Sequence, residues 1–284
     1  MNNFSNWSIL VTNYNYHGKD ILPICLRRIR ENYPNIKIRI ADDCHNMKIG
    51  DDSIKNYKNF ITSVINKYNA EIIHYKNKFS ESPIDSAMQN IWEYLKEEYI
   101  FVIDNDTFLL NSGIIELMDD LFNKNSNIGS IGEFLPPGID NCFMSTKEFR
   151  LPRISTWAFA LNMNLLRKNN IYYGFGSNNG NQQDKNYVKS LEKKYMKIFN
   201  LREADDGGLF FLKILDKGID FIDLKDYTKF YDVGDFQIDG RTLRHLCKYY
   251  IHLAHYSHIS EDLQNSILSQ VNKFLQEENY KKLD

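Results

Sequence analysis

Apolar and polar positions alternate along the first half of the chain in two rhythms. Short continuous apolar runs read as buried strands, and apolar positions three and four apart read as helices packed by one face. Residues 8–14 form a candidate first strand. Residues 21–32 follow as a helix, with Ile21, Leu22, Cys25 and Ile29 at helical spacing and Pro34 just beyond. Residues 36–41 make a second strand that ends at Asp42-Asp43. Residues 53–68 make a second helix, with Ile54, Tyr57, Ile61, Val64 and Ile65 on one face. A short strand at 71–75 and a helix at 83–97, with Pro83 where a first turn tolerates it, come next. The apolar run Tyr99-Ile100-Phe101-Val102-Ile103 then leads straight into Asp104-Asn105-Asp106-Thr107. Strands alternating with helices imply βαβ units, hence an α/β fold on a mostly parallel sheet flanked by helices.

The second half is less regular. Residues 114–122 read as helix and 128–133 as strand, and Leu135-Pro136-Pro137-Gly138 is a turn signal. Residues 156–163 read as a strand across the sheet, and 164–168 as a short helix. Residues 174–185, rich in Gly, Asn and Gln, read as a loop. A helix over 206–217, with Gly207 and Gly208 near its start, precedes a strand at 219–224. Residues 261–276 form an amphipathic helix with Leu263, Ile267, Leu268, Val271 and Leu275 on one face. Such a face serves core packing, a dimer or a membrane surface, and packing is the default. The chain divides by this reading into a main domain over 1–235 and a C-terminal segment over 236–284 packed on it.

Composition narrows the function classes. The 284 residues carry a formal net charge of −2, which gives no electrostatic reason to expect nucleic acid as a partner. Basic residues are spread along the chain, so no polybasic membrane patch is evident. The four cysteines, Cys25, Cys44, Cys142 and Cys247, form neither a CxxC pair nor a zinc spacing. The N-terminus lacks a signal-peptide pattern, and no apolar run is long enough to span a bilayer, so the expected location is the cytoplasm or the inner face of the membrane. The oligomeric state stays open.

The chemistry concentrates at the end of the apolar run. Asp104 and Asp106 stand at the carboxyl end of a buried strand, where open α/β sheets place ligands. In an extended segment, positions i and i+2 point to one side. Carboxylates held so close repel unless a cation lies between or beside them. Mg²⁺ or Mn²⁺ suits that donor set, and both ions take substrate phosphates as co-ligands. The plainer alternative is an acidic turn after a core strand.

The order and spacing of these features resemble the GT-A glycosyltransferases, most closely the large inverting, family-2-like branch. Thr12-Asn13-Tyr14-Asn15 is similar to the segment that touches the nucleotide, and Asp42-Asp43 to the acidic pair that holds base or ribose. Ala87 and Asn90 match a small residue and an Asn that face the donor. Asp104-Asn105-Asp106 matches the Asp-x-Asp motif, with Asp106 on the metal and Asp104 on ribose or metal. Asp205-Asp206, followed by Gly207-Gly208-Leu209, matches the acidic pair that opens a helix and carries the general base. The family's pair is usually Glu-Asp. Here it is Asp205-Asp206, with Glu203 two residues before Asp205, so Asp206 is the first choice and Asp205 the second. A C-terminal His often completes the metal shell in relatives, and His252 and His255 are the candidates, with His258 a third. The spacing of the three does not put them on one side of a strand.

The resemblance covers roughly residues 7–225 and implies a GT-A (Rossmann-like) sheet with a C-terminal helical appendage. It implies transfer of a sugar from a nucleoside-diphosphate sugar to a saccharide or glycolipid hydroxyl, with Mn²⁺ or Mg²⁺ as cofactor. Bacterial surface polysaccharide, capsule or lipooligosaccharide, is the expected setting. Trp157 and Tyr172-Tyr173-Gly174-Phe175 stand between two roles, a sugar-stacking platform and plain core packing.

Two rivals compete with this reading. A haloacid-dehalogenase-type phosphatase also uses Asp-x-Asp after an apolar strand, but its motif generally opens the fold and wants Thr or Val where Phe108 stands. A non-catalytic nucleotide- or carbohydrate-binding protein could keep the fold without transfer. Neither a P-loop nor a dinucleotide-binding glycine pattern is present.

Overall fold

The computed structural model describes residues 4–13, 21–42, 51–75, 87–88, 91–136, 138–140, 148–150, 152–173, 186, 189–190, 193, 207–231, 237–238, 241–242, 245–253, 261–277 and 279–283. Strands β1 (Trp7–Asn13), β2 (Lys37–Asp42), β3 (Ala70–His74), β4 (Tyr99–Asp104) and β5 (Thr107–Leu109) come first. They are followed by β6 (Ile128–Leu135), β7 (Gly138–Asp140), β8 (Glu148–Arg150), β9 (Arg153–Asn162) and β10 (Asp220–Asp223). Five short strands lie in the C-terminal part: β11 (Phe230–Tyr231), β12 (Gln237–Ile238), β13 (Arg241–Thr242), β14 (His245–Cys247) and β15 (Tyr250–His252). The helices are α1 (Leu22–Asn32), α2 (Asp51–Tyr68), α3 (Ile114–Lys124), α4 (Met163–Lys168), α5 (Gly208–Asp216) and α6 (Glu261–Glu277).

The main sheet has seven strands in the order β10-β6-β9-β4-β1-β2-β3. Its pairs are parallel except those of β9, which runs antiparallel to both β4 and β6. Every residue of β1 and β4 is buried, so these strands read as continuous apolar runs rather than alternating ones. Their side chains divide between two core layers. Ile9, Val11, Phe101 and Ile103 meet α1, α2, α3 and α6 on one face, whereas Leu10, Ile100 and Val102 meet Ala87, Met88, Ile91, Trp92 and Leu95, with α4 and α5, on the other.

A smaller antiparallel sheet, β11-β14-β15-β5, stands beside the end of β4. Arg28 of α1 anchors it: the buried guanidinium donates to the carbonyls of Leu109, at 2.8 Å, and Leu110, at 3.0 Å. The apolar face of α6 is packed, with Ile267, Val271 and Leu275 buried in the same core layer as α1. No helix among the described residues is long and apolar enough to cross a membrane.

One expected element is shorter than its periodicity suggests. The helix expected over 83–97 has helical geometry at 87–88 and at Ile91, a 3₁₀ turn at Trp92–Tyr94, and an extended Leu95. Leu95 is fully buried against the sheet, and its carbonyl and that of Glu97 accept from the Arg167 side chain of α4. Tertiary partners replace the last helical turn.

Candidate active site

The site is built where β4 ends. Parallel pairing sets Thr12 of β1 beside Asp104 of β4, and the Thr12 hydroxyl donates to Asp104 Oδ1 at 2.5 Å. The Asn105 amide donates to the Thr12 carbonyl at 3.1 Å, one residue past the strand. The chain then turns, and β5 starts at Thr107. Because β15 pairs antiparallel with β5, His252 lies opposite Thr107, and the Leu253 amide donates to the Asp106 carbonyl at 3.0 Å.

That pairing carries His252 Nε2 to 3.3 Å from Asp106 Oδ1. One ligand atom each from Asp104, Asp106 and His252 lies within 4.8 Å of the others, and all three residues are buried. The two carboxylates do not share the face of one strand: the turn after β4 brings them together. Asp106 Oδ1 accepts no hydrogen bond. A concentrated negative field is also felt beneath the turn, where the buried Cys25 thiol of α1 is pushed well above its usual range. Burial is the main cause, and the charges of Asp106 and Asp104 add to it. Two carboxylate oxygens and an imidazole nitrogen that converge in this way are a donor set that fits a divalent cation.

A second constellation occupies the ends of β1, β2 and β3. Asp42 is completely buried. Its Oδ1 accepts from the Tyr57 hydroxyl of α2 at 2.5 Å and from Asn13 Nδ2 at 3.0 Å, while Oδ2 lies 3.2 Å from His74 Nδ1. Asn13 Nδ2 is also 2.9 Å from the Tyr57 hydroxyl. The Asn13 carbonyl oxygen accepts from Asn105 Nδ2 at 2.8 Å, which ties this corner to the turn that holds Asp104 and Asp106. Sequence reasoning missed Tyr57 and His74. Its signal for Tyr57 was weak, a lone hydroxyl on an otherwise apolar helical face, and His74 gave none beyond its place at a strand end.

The remaining candidates fall in different places. Ala87 is fully buried in the second core layer. Tyr14, Asp43, Asn90, Asp205, Asp206, His255 and His258 lie outside the described residues. The residue after Asp206 is described: Gly207 has φ +69°, in the left-handed region that favours glycine. A Cβ there would come 2.7 Å from the Tyr173 hydroxyl and 3.4 Å from Thr156 Cγ2. The backbone at Gly207 therefore lies against Thr156 of β9 and the Tyr173 ring. Trp157 stacks on His252, with centroids 5.2 Å apart and planes 8° from parallel. Tyr173 stacks on Phe210 at 4.7 Å and is buried, so packing is its role.

A mostly parallel seven-stranded sheet with one reversed strand and flanking helices is an α/β fold of the GT-A type. The sequence profile described as glycosyl transferase family 2 matches residues 8–187, more than half of the chain, and the protein belongs to that family. It is thus a glycosyltransferase, which sets aside the phosphatase. Among curated protein sequences none matches significantly. Among solved structures, mouse xyloside xylosyltransferase 1 in its apo form shares 10% identity over 76% of this chain and 83% of its own, with a TM-score of 0.45. An active-site mutant of LgtC shares 9% over 76% and 71%, with a TM-score of 0.44. Residues 1–349 of TarS from S. aureus share 12% over 95% and 72%, with a TM-score of 0.41. At such scores the likeness is loose, and the family assignment rests on the sequence match.

Proposed function

We propose that the protein transfers a sugar from a nucleoside-diphosphate sugar to a saccharide or glycolipid hydroxyl, with Mg²⁺ or Mn²⁺ held by Asp104, Asp106 and His252. The observation that carries this reading is the buried carboxylate–carboxylate–imidazole cluster at the end of β4. A divalent cation there supplies Lewis-acid stabilisation of the negative charge that gathers on the departing diphosphate. The protein's own groups do the rest. Thr12 holds Asp104 through its hydroxyl, and the β5–β15 pairing holds His252 against Asp106. The corner of Asn13 and Asp42, with Tyr14 and Asp43 beside it in sequence, receives the nucleoside, and Asn105 joins that corner to the metal turn.

Asp206 takes the proton from the acceptor hydroxyl as it attacks, with Asp205 the second choice. The position of Gly207 against β9 supports a base on this rim. Direct attack with one base makes the enzyme inverting. The acceptor belongs to a bacterial surface polysaccharide such as capsule or lipooligosaccharide, a reading that rests on composition and the single-domain format.

A thermal-shift panel of UDP, GDP, CDP, dTDP and CMP, each with and without Mn²⁺, tests the donor side. Ligand at about 100 times its dissociation constant adds about 2.7 kcal/mol of stability. A Mn²⁺-dependent shift with one diphosphate is expected. No shift with any of the five contradicts the reading, and binding without release of nucleoside diphosphate in the presence of saccharide acceptors returns the protein to a non-catalytic binder.

A further inference from the structure

We infer that Trp157 is a positioning residue for the cation site, fixing the plane of the His252 imidazole. The inference rests on the reading that Asp104, Asp106 and His252 hold a cation. Pairing of β15 with β5 fixes the backbone of His252, but the ring of a histidine turns about a broad χ2 well. Ring plane decides where the Nε2 lone pair points, and groups outside the ligand shell that fix this plane tune the metal site. Trp157 is such a group, on the neighbouring sheet. Its indole is stacked on the imidazole with an offset, 8° from parallel and with centroids 5.2 Å apart, so the indole stands in the way when the His252 ring rotates.

Two contacts hold the backbone that carries the indole. β9 is flanked by β4 and β6, and Ala158 next to Trp157 is paired with Ile103, one residue before Asp104. The Thr107 hydroxyl donates to the Trp157 carbonyl at 3.0 Å. Thr107 is in turn the pairing partner of His252. The circuit is closed: Trp157 backbone to Thr107 side chain, Thr107 backbone to His252, His252 ring to Trp157 ring. One face of the indole is thereby occupied, so the sugar-stacking role considered for Trp157 is not open on that face.

The test is a double-mutant cycle read as Mn²⁺ affinity by electron paramagnetic resonance titration, with Mn²⁺ alone as probe and melting temperature recorded for each variant. Loss of an outer-shell partner typically costs about 10–100-fold in metal affinity. Trp157→Leu is therefore expected to weaken Mn²⁺ binding by about 10-fold or more, whereas Trp157→Phe, which keeps a flat ring, restores most of it at a similar melting temperature. In a His252→Ala background, Trp157→Leu is expected to have almost no further effect, because the ring it positions is gone. Equal losses in both backgrounds, or no loss with Leu, overturn the proposal. Unchanged Mn²⁺ affinity in His252→Ala alone, or no Mn²⁺ binding by the wild-type protein, overturns the cation reading itself and the proposal with it.

Discussion

Two carboxylate sites stand side by side at the carboxyl end of the sheet and solve the problem of burial in opposite ways. At the β2 end, the charge of Asp42 is met by the protein itself, through the Tyr57 hydroxyl, the Asn13 amide and the His74 ring. At the β4 end, two acids converge on a single imidazole, and Asp106 Oδ1, 3.3 Å from His252 Nε2, accepts no hydrogen bond. A buried carboxylate with a full set of donors adds rigidity, and one left short of donors costs stability. The first carboxylate is thus held rigid by the protein's own donors, and the second faces another carboxylate and a single imidazole. Asn13 joins them, since its amide donates to Asp42 and its carbonyl oxygen accepts from Asn105.

Substitutions at the two sites should separate binding from stability. The largest effect is expected for Asp106→Ala, which should weaken Mn²⁺-dependent nucleoside-diphosphate binding more than about 100-fold, beyond what loss of an outer-shell group does. Calorimetric titration measures it. Metal-free Asp106→Ala should melt no lower than wild type, because a like-charge contact is relieved. Asp206→Asn should leave donor binding intact and cut transfer by at least about 10²-fold in a coupled assay for released nucleoside diphosphate. If Asp205→Asn does so instead, the base is one residue earlier.

At the other corner the pattern reverses. Asp42→Ala removes the carboxylate shared by the Tyr57 hydroxyl and the Asn13 amide, and should lower stability by about 3 kcal/mol in urea unfolding while Mn²⁺ still binds. Tyr57→Phe removes one donor and should lower it by about 1 kcal/mol with Mn²⁺ affinity unchanged. Loss of Mn²⁺ affinity in Tyr57→Phe would break the separation of the two sites.

The parts of this arrangement that sequence revealed are those that depend on local pattern. β1, β2, β4, α1 and α2 lie within a residue or two of their expected bounds, because fully buried strands and one-faced helices leave strong periodic traces. Asp104 and Asp106 were legible because an apolar run ends on them. What stayed hidden depends on contacts between distant segments. The spacing of His252, His255 and His258 does not rank them. What sets His252 at the cluster is the pairing of β15 with β5, two three-residue strands too short for a periodic signal. The partnership of Tyr57 with Asp42 joins a helix to a strand end, and periodicity assigned Tyr57 only to an apolar face. The helix before β4 was expected to run on because its periodicity continues, but Arg167 takes the carbonyls of Leu95 and Glu97.

The most direct test of the central claim is anomalous diffraction from crystals grown with Mn²⁺ and the nucleoside diphosphate chosen by the thermal panel. The account predicts a manganese peak about 2.0–2.3 Å from a carboxylate oxygen of Asp106 and from His252 Nε2, with the diphosphate on its open side. A bound nucleotide with manganese elsewhere, or with none at these residues, would contradict it.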